Sequence, residues 1–262
     1  MERYLRSSWE PKGESYTMTL HYEEAGDHSN RTIVFVHGAG GSAATWFMQL
    51  RGLSNDFHIV AVELNGHGKT PNRGEDDVLH SYLHDVHEVV SKFDKPILAG
   101  HSMGGALTQL YALNHPEHLT GIVLVGTGAK LRVTSMVFDA LDNDVETYVS
   151  LTGQFMFHEN TSDDVREASK HEVRKCPVHI IRRDFELCDT FDIMDKVSDI
   201  KLPTLILVGD ADFMTPVKYS SFLNDNIDGS IMMVIEGAGH AVMLEQVSSF
   251  NKYIADWVNS LI

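Results

Sequence analysis

The sequence predicts an α/β fold, a mostly parallel sheet flanked by helices, with a helical segment inserted into it. Short apolar runs alternate with helical patterns through the first half of the chain. That alternation is typical of βαβ units, in which crossover helices cover buried parallel strands. Between 131 and 197 the alternation stops, and helical segments rich in Met, Phe and charged residues replace it. We therefore expect one core domain, 1–130 with 198–262, and a helical cap insertion at 131–197.

The elements follow one another in a regular order. Apolar runs, several of them β-branched or alternating, predict strands at Thr17 to Glu24, Thr32 to Val36, Phe57 to Glu63, Ile97 to Ala99, Ile122 to Val125, Pro203 to Val208 and Ile231 to Ile235. Helical spacing predicts helices at Val78 to Phe93, Met103 to Asn114, Met136 to Leu141, Asp163 to Val173 and Val242 to Leu261. The helices between the fifth and sixth predicted strands form the insertion.

Composition narrows the class of protein. The chain has 262 residues, of which 43% are hydrophobic, so it can bury a substantial core. Its 37 acidic residues against 21 Lys and Arg give a formal charge of −16. A nucleic-acid binder needs a basic footprint, which this balance does not supply, and an anionic membrane surface is disfavoured for the same reason.

The expected location is the cytoplasm. Residues Met1 to Tyr16 are polar and lack the apolar region of a signal peptide. No apolar run approaches the roughly 20 residues that span a bilayer. Two cysteines, Cys176 and Cys188, are too few for a disulfide framework, and free thiols in a reducing compartment are the expected state.

A serine flanked by glycines lies between the strand predicted to end at Ala99 and a predicted helix. The pentapeptide Gly100-His101-Ser102-Met103-Gly104 has the form G-x-S-x-G. A serine on a tight strand-to-helix turn exposes its hydroxyl, and the flanking glycines permit the close approach of strand and helix. A plain glycine-rich turn is the alternative interpretation. The strand before and the helix after favour a nucleophilic Ser102.

A serine nucleophile needs a base and a carboxylate that orients the base. Asp212 follows the strand predicted at Pro203 to Val208, and His240 follows the strand predicted at Ile231 to Ile235. Both therefore fall at the carboxyl ends of strands, the edge at which open α/β sheets place their sites. Asp210, immediately after Gly209, competes with Asp212 for the carboxylate role.

Five pieces in chain order resemble the α/β-hydrolase family, specifically its small cap-bearing members. They are His37-Gly38-Ala39-Gly40, Gly66-His67-Gly68-Lys69-Thr70, the serine pentapeptide, Gly209-x-x-Asp212-x-x-x-Pro216 and Gly239-His240. The order Ser, Asp, His is that of the family's triad. The resemblance runs from about Thr32 to the C-terminus and implies the α/β-hydrolase fold with an inserted helical cap.

The resemblance also implies roles for individual residues. By this resemblance Ser102 is the nucleophile, His240 is the base and Asp212 is the carboxylate that orients the base. The backbone N–H groups of Ala39 and Met103 form the oxyanion hole. The family's spacing selects Asp212 over Asp210. Glycine-rich loops after strands also bind nucleotides, but the chain has neither of the usual phosphate-binding glycine patterns. The chemistry requires no metal or organic cofactor.

Apolar residues of the cap and of the loops near the serine are expected to form an acyl or aryl pocket. The expected substrate contacts are Gly38, Trp46, Phe138 and Phe155. Other aromatic residues of the cap are expected to pack its helices on the sheet domain. Arg182 and Arg183 could recognise a substrate carboxylate, although a solvated arginine pair is the favoured interpretation.

Three histidines fall on one face of a predicted helix. His80, His84 and His87 have a spacing that can bind a metal such as Zn²⁺. Nothing ties this helix to the strand ends, so a solvated face of a histidine-rich protein is the favoured interpretation. We predict no metal site.

The predicted function is hydrolysis of small, largely apolar carboxylic esters through an acyl-enzyme on Ser102. The expected partner is therefore a small-molecule ester, and a homodimer is left open. A C–C bond hydrolase for ring-cleavage diketones or an enol-lactonase would use the same triad, as would a thioesterase or a perhydrolase. A non-catalytic binding protein of the same fold is the contrasting class, and it has no need of an activated serine.

Overall fold

A computed structural model describes residues 20–74 and 76–261. Its strands are β1 (Tyr22–Ala25), β2 (Thr32–Val36), β3 (His58–Val62), β4 (Ile97–His101), β5 (Gly121–Val125), β6 (Thr204–Gly209) and β7 (Ile231–Ile235). Within these residues the seven strands form one sheet in the order β1-β3-β2-β4-β5-β6-β7. β1 runs antiparallel to β3, and the other neighbours are parallel. The predicted mostly parallel α/β sheet is confirmed.

Helices cover both faces of the sheet. Those of the core are α1 (Phe47–Gly52), α2 (Val78–Val90), α3 (Met103–Asn114), α8 (Val217–Asn226), α9 (Val242–Glu245) and α10 (Val247–Ser260). Alternate residues of β2 face opposite layers: Ile33 and Phe35 pack in the cluster that includes α10, and Val34 and Val36 in the cluster that includes α2 and α3. Burial on both faces explains why the central strands, such as β2 and β5, read as continuous apolar runs.

Four helices between β5 and β6 form the insertion. They are α4 (Ser135–Asn143), α5 (Val145–Phe155), α6 (Asp163–Val173) and α7 (Val178–Thr190), and we call them the inserted helices. They have an apolar cluster of their own, which includes Leu141, Tyr148, Val149, Ile180 and Phe185. The division into a core, 1–130 with 198–262, and a cap, 131–197, stays a prediction, and its first 19 residues lie outside the described part of the chain.

Several elements differ from the predicted ones. The C-terminal segment is two helices, because Gln246 leaves the helical region at φ −121° and ψ 53° and its side chain donates to the carbonyl of Gly237. β1 begins at Tyr22, and the predicted strand residues 17–19 lie outside the described residues. Helices α1, α5, α7 and α8 were not predicted. None of the helices in the described ranges is long and apolar enough to cross a bilayer.

Candidate active site

Ser102 joins β4 to α3 in a strained conformation. Its φ of 53° and ψ of −115° are a combination that residues with a side chain rarely adopt. Its N–H donates to the carbonyl of Val125 at 2.9 Å, and its own carbonyl accepts from Thr127 Oγ1 at 2.9 Å. The end of β5 therefore holds the turn in place from both sides of the serine.

The glycines of the pentapeptide are required by the packing of this turn. A Cβ on Gly100 would lie 2.1 Å from the carbonyl oxygen of Gly104, and a Cβ on Gly104 would lie 2.3 Å from that of Val36. Both distances are far below van der Waals contact, so strand, turn and helix approach this closely only because residues 100 and 104 have no side chain.

Asp212 and His240 form a buried pair. His240 Nδ1 lies 2.9 Å from Asp212 Oδ2, and the side chains are 2% and 0% exposed, respectively. The other carboxylate oxygen accepts the N–H groups of Met214 and Thr215 at 2.9 and 2.8 Å. Burial alone would raise the pKa of Asp212, but His240 and the Thr215 donors outweigh it and hold that pKa below its ordinary value. The carboxylate therefore stays ionised beside the imidazole.

Thr215 is a member of this group that sequence reasoning missed. Its hydroxyl lies 2.8 Å from Asp212 Oδ2 and 3.2 Å from His240 Nδ1. Its position three residues after Asp212, where the loop turns back, brings the hydroxyl to the carboxylate. A threonine before Pro216 carries no signal in the sequence that distinguishes it from an ordinary loop residue.

Asp210 has a different role from Asp212. Its N–H donates to the carbonyl of Ile235 at 3.0 Å, and its carboxylate accepts the N–H of Ala238 at 3.2 Å. The side chain is exposed. Asp210 thus ties together the loops that follow β6 and β7, while the carboxylate of Asp212 contacts His240.

His101 connects the serine turn to the loop of His240. Its Nε2 lies 3.0 Å from the carbonyl oxygen of His240, and the two rings are 4.5 Å apart. Burial, together with the nearby His240, lowers the pKa of His101 to about 3, so its ring is neutral and donates through Nε2. The residue is the first variable position of G-x-S-x-G, which explains why the motif did not single it out.

The glycine-rich loop after β2 lies against the serine turn. A Cβ on Gly38 would lie 3.2 Å from Ser102 Cβ and 3.0 Å from His101 Nδ1. The N–H of Gly41 donates back to the carbonyl of Gly38 at 3.0 Å, which closes the loop. The segment that carries Ala39 therefore passes directly beside the serine. We call residues 37–41 the oxyanion loop, after the role expected of it.

The expected substrate contacts have different environments. Trp46 is wholly buried, and its ring centroid lies 4.6 Å from that of Phe35. Its side chain therefore packs in the core, whereas a contact in the cleft was expected. Phe138 on α4 is half-buried with the guanidinium of Arg182 5.6 Å from its ring. Phe155 ends α5 and is 40% exposed. Gly38 lies against the serine turn, and the ring of Trp46 meets that of His101 edge-on with the centroids 6.4 Å apart.

The two candidate arginines are bound to groups of the protein. Arg182 donates to the carboxylates of Asp142 and Glu186 at the surface. Arg183 donates to Tyr82 Oη at 2.9 Å and to Asn72 Oδ1 at 3.0 Å. Both guanidinium groups therefore hold α7 in place through contacts within the chain.

Two carboxylates connect the inserted helices to the loops around Ser102. Glu245 accepts the N–H of Gly239 at 2.7 Å and, through its other oxygen, the N–H of His158 at 2.6 Å. Asp184 on α7 accepts the N–H of Gly40 at 2.8 Å. The insertion is thus attached both to the loop before His240 and to the oxyanion loop. Neither acid was predicted.

Groups with the composition of metal ligands lie away from this site. Among the described residues, two sets bring their ligand atoms within 4.8 Å of one another: Glu24, His28 and His58, and His115, Glu117 and His118. His87, from the predicted histidine face, has its Nδ1 3.0 Å from Tyr111 Oη and its ring 5.5 Å from those of His115 and His118. These sets contain none of the residues that surround Ser102.

Comparison with known proteins identifies the family. A family model described as serine aminopeptidase, S33, matches residues 27–247. The pimeloyl-(acyl-carrier protein) methyl ester esterase of Yersinia enterocolitica is 25% identical over an alignment of 244 residues that covers 86% of this chain and 92% of the relative. The chain belongs to this family of α/β hydrolases.

Solved structures agree with that assignment. The structure of a thermophilic esterase is 28% identical and has a TM-score of 0.81, covering 93% of this chain and 99% of that one. The enol-lactonase from Burkholderia xenovorans LB400 has a TM-score of 0.80 over 92% of this chain and 96% of its own, and at 21% identity it shows the shared fold. The predicted α/β-hydrolase fold is confirmed, and so is the prediction that the protein is a hydrolase acting on ester bonds.

Proposed function

We propose that this protein hydrolyses small, largely apolar carboxylic esters through an acyl-enzyme on Ser102. The observation that carries the proposal is the buried Asp212–His240 pair, with Nδ1 2.9 Å from the carboxylate, on a loop tied through His101 to the strained Ser102 turn. A carboxylate bound to Nδ1 leaves Nε2 of His240 as the basic nitrogen. A protein that only binds ligands has no need of such an arrangement.

Acylation is the first half of the proposed reaction. The Oγ of Ser102 attacks the ester carbonyl carbon, and His240 Nε2 takes the hydroxyl proton as the new C–O bond forms. The ionised Asp212 stabilises the resulting imidazolium, and the N–H groups of Ala39 and Met103 donate to the oxyanion. The bond to the alkoxide then breaks, and His240 returns the proton to the leaving alcohol.

Deacylation repeats the same steps with water. His240 takes a proton from a water molecule as that water attacks the acyl-enzyme carbonyl carbon. The same two amides bind the second oxyanion. As this intermediate collapses, the bond from the carbonyl carbon to Ser102 Oγ breaks, His240 returns its proton to that oxygen, and the carboxylic acid is released. Protein groups and water supply every proton and electron pair in the cycle.

Residues 131–197, which contain the inserted helices, are proposed to form a cap that shapes the substrate pocket. Phe138 and Phe155 are partly exposed apolar side chains on this segment, and Gly38 lies beside the serine. An apolar lining favours apolar acyl groups. The C–C hydrolase and enol-lactonase alternatives act on carboxylates, and the bonds of Arg182 and Arg183 to protein acceptors favour neutral esters instead.

A cytoplasmic setting and a small-molecule ester partner belong to the same proposal. Cys176 and Cys188 are both buried free thiols, a state that suits a reducing compartment. A homodimer remains an open prediction.

The test is a steady-state assay across p-nitrophenyl esters from acetate to decanoate. We expect turnover that peaks at short or medium chains and that falls by at least about 10³-fold in Ser102→Ala, because triad members act as a unit. Ser91→Ala, at the exposed serine that directly follows α2, is the matched control and should retain wild-type kcat. Equal rates for Ser102→Ala and the wild type, or no ester turnover from folded protein, would refute the proposal.

A further inference from the structure

Asp184 on α7 is a wholly buried acid that the proposed reaction does not use. One of its carboxylate oxygens accepts from the N–H of Gly40 at 2.8 Å and lies 2.9 Å from His67 Nε2. The other oxygen accepts from the hydroxyl of Tyr82 at 2.5 Å. The carboxylate therefore joins an inserted helix to three separate parts of the core domain.

His67 is the charged partner of this carboxylate. Its Nδ1 lies 3.1 Å from the carbonyl oxygen of Asn65, so both ring nitrogens face acceptors and the ring is an imidazolium. Burial opposes that charge, but Asp184 outweighs it and raises the pKa of His67 to about 10. Both side chains are 0% exposed, so the charges are separated from solvent.

A buried ion pair of this kind is weak evidence for stability. Desolvation of the two charges offsets most of their attraction, and apolar side chains of similar volume often stabilise a protein as well or better. The specific consequence here is geometric, because the fixed carboxylate oxygen receives a backbone N–H of the oxyanion loop. Gly40 directly follows Ala39, whose amide is a proposed donor to the oxyanion.

A second contact from the same helix fixes the same residue. Gly40 has a φ of 64°, and a Cβ placed on it would lie 3.1 Å from Ile181 Cγ1. Ile181 and Asp184 lie one turn apart on α7. The same face of the helix therefore packs Ile181 against Gly40 and presents the Asp184 carboxylate to the N–H of Gly40. Movement of α7 away from the core would remove both contacts from the oxyanion loop.

The geometry points to Asp184 as a positioning residue that fixes the oxyanion loop in its active form, so that docking of α7 and formation of the oxyanion hole are one event. His67 holds the carboxylate in the charge state and orientation that this requires. The inference rests on the proposed function, because it needs the Ala39 amide to act on the oxyanion.

The test compares three variants for kcat, KM and thermal stability on the best p-nitrophenyl ester. Asp184→Ala removes the acceptor for the Gly40 N–H, and kcat should fall about 10- to 100-fold with KM within about threefold, since a displaced oxyanion donor acts mainly on the transition state. Asp184→Asn retains an acceptor oxygen and should retain more of kcat than the alanine variant. Asp189→Ala is the matched control, because that acid also lies on α7 and accepts a backbone N–H, from Val133.

A second measurement separates this inference from the proposed function. A fluorophosphonate reacts with an activated serine and places its own oxyanion in the hole, so its rate of reaction with Ser102 does not depend on the ester chosen. We expect that rate to fall in parallel with kcat in Asp184→Ala and to stay within about twofold of the wild type in Asp189→Ala. Hydrogen exchange at residues 37–41 should rise in Asp184→Ala.

The outcomes are distinguishable. If the folded wild type does not react at Ser102, the proposed function is wrong, and this inference fails with it. If the wild type reacts and Asp184→Ala reacts equally fast while its melting temperature falls, Asp184 is merely structural and this inference alone is wrong. If Asp184→Ala does not fold, the double variant Asp184→Ala, His67→Gln takes its place, because it removes both buried charges together. The same loss of kcat and of fluorophosphonate reactivity is expected for it.

Discussion

The imidazole of His101 donates through Nε2 to the backbone carbonyl of His240 across 3.0 Å, so the residue before the serine holds the loop of the proposed base. The two elements meet although they are 139 residues apart in the chain. Because burial keeps the His101 ring neutral, the bond is a neutral N–H to carbonyl contact that pH does not change across the working range. The serine turn and the His240 loop are thereby fixed relative to each other.

This contact predicts an effect of His101 on turnover. His101→Ala should lower kcat about 5- to 10-fold with little change in KM, because one lost hydrogen bond is worth about 1 to 1.5 kcal/mol and its loss allows the base to shift from its position. His101→Gln retains an N–H donor and should stay within about threefold of the wild type. Steady-state kinetics on one ester measures both. Wild-type kcat in His101→Ala would show that the contact does not position His240.

The carboxylate assignment predicts opposite results for two neighbouring acids. Asp212→Asn should lower kcat by about 10³- to 10⁴-fold, because an amide cannot hold the same tautomer of His240 or stabilise its imidazolium. Asp210→Asn should stay within about threefold, since that side chain only accepts the N–H of Ala238. A large loss in Asp210→Asn with an active Asp212→Asn would reverse the assignment. Both variants are compared at equal folded concentration.

The packing of the serine turn predicts a large loss of stability in Gly104→Ala. Its new Cβ would lie 2.3 Å from the carbonyl oxygen of Val36, so α3 must move away from β2, at a cost of at least about 3 kcal/mol. Gly229→Ala is the comparison: nothing lies within 4 Å of its Cβ, so only the strain of its left-handed φ of 72°, about 1 kcal/mol, is expected. Urea denaturation gives both values. Equal losses would mean that the turn tolerates a side chain.

Two buried histidines predict how stability depends on pH. Burial is the main cause that lowers the pKa of His37 and of His101 to about 3 from the ordinary 6.5. Below about pH 6.5 the unfolded chain binds protons at both residues while the folded protein does not. The stability that their neutral forms contribute is therefore complete above pH 6.5 and is lost as the pH falls towards 3.

The predicted slope is up to about 1.4 kcal/mol of unfolding free energy per pH unit for each histidine. Urea denaturation between pH 6.5 and 4.5 measures it. His101→Gln removes one of the two groups, so its slope should be smaller than that of the wild type by up to that amount. Parallel curves for the two proteins would contradict the assigned neutral state of His101.

The sheet and the proposed catalytic residues follow from local patterns in the chain. Burial on both faces makes β2 a continuous apolar run. The predicted bounds of β2 and of the edge strand β7 are those in the structure. The requirement for glycine at 100 and 104 is a matter of backbone packing, so it too is visible in sequence. Patterns of this kind arise within a few residues of one another, and sequence reasoning can use them directly.

Other parts of the site depend on contacts between distant segments. Asp184 meets Gly40 across 144 residues of chain, and nothing near it in sequence marks it as different from the other acids of α7. Trp46 shows the converse: its large apolar side chain suits a pocket, but the ring is wholly buried and packs against Phe35 in the core. The direction in which a short segment presents its side chains is set by the packing of the whole domain.

The most direct test of the account is whether a single acyl group becomes attached to Ser102. A p-nitrophenyl ester with a hindered acyl group, such as pivalate, should acylate the enzyme faster than water releases it, and intact-mass measurement with peptide mapping would locate the adduct. One acyl group per chain is expected, on the peptide that contains Ser102, and none is expected in Ser102→Ala. Attachment at another residue, or turnover of the ester without any adduct and without dependence on Ser102, would contradict it.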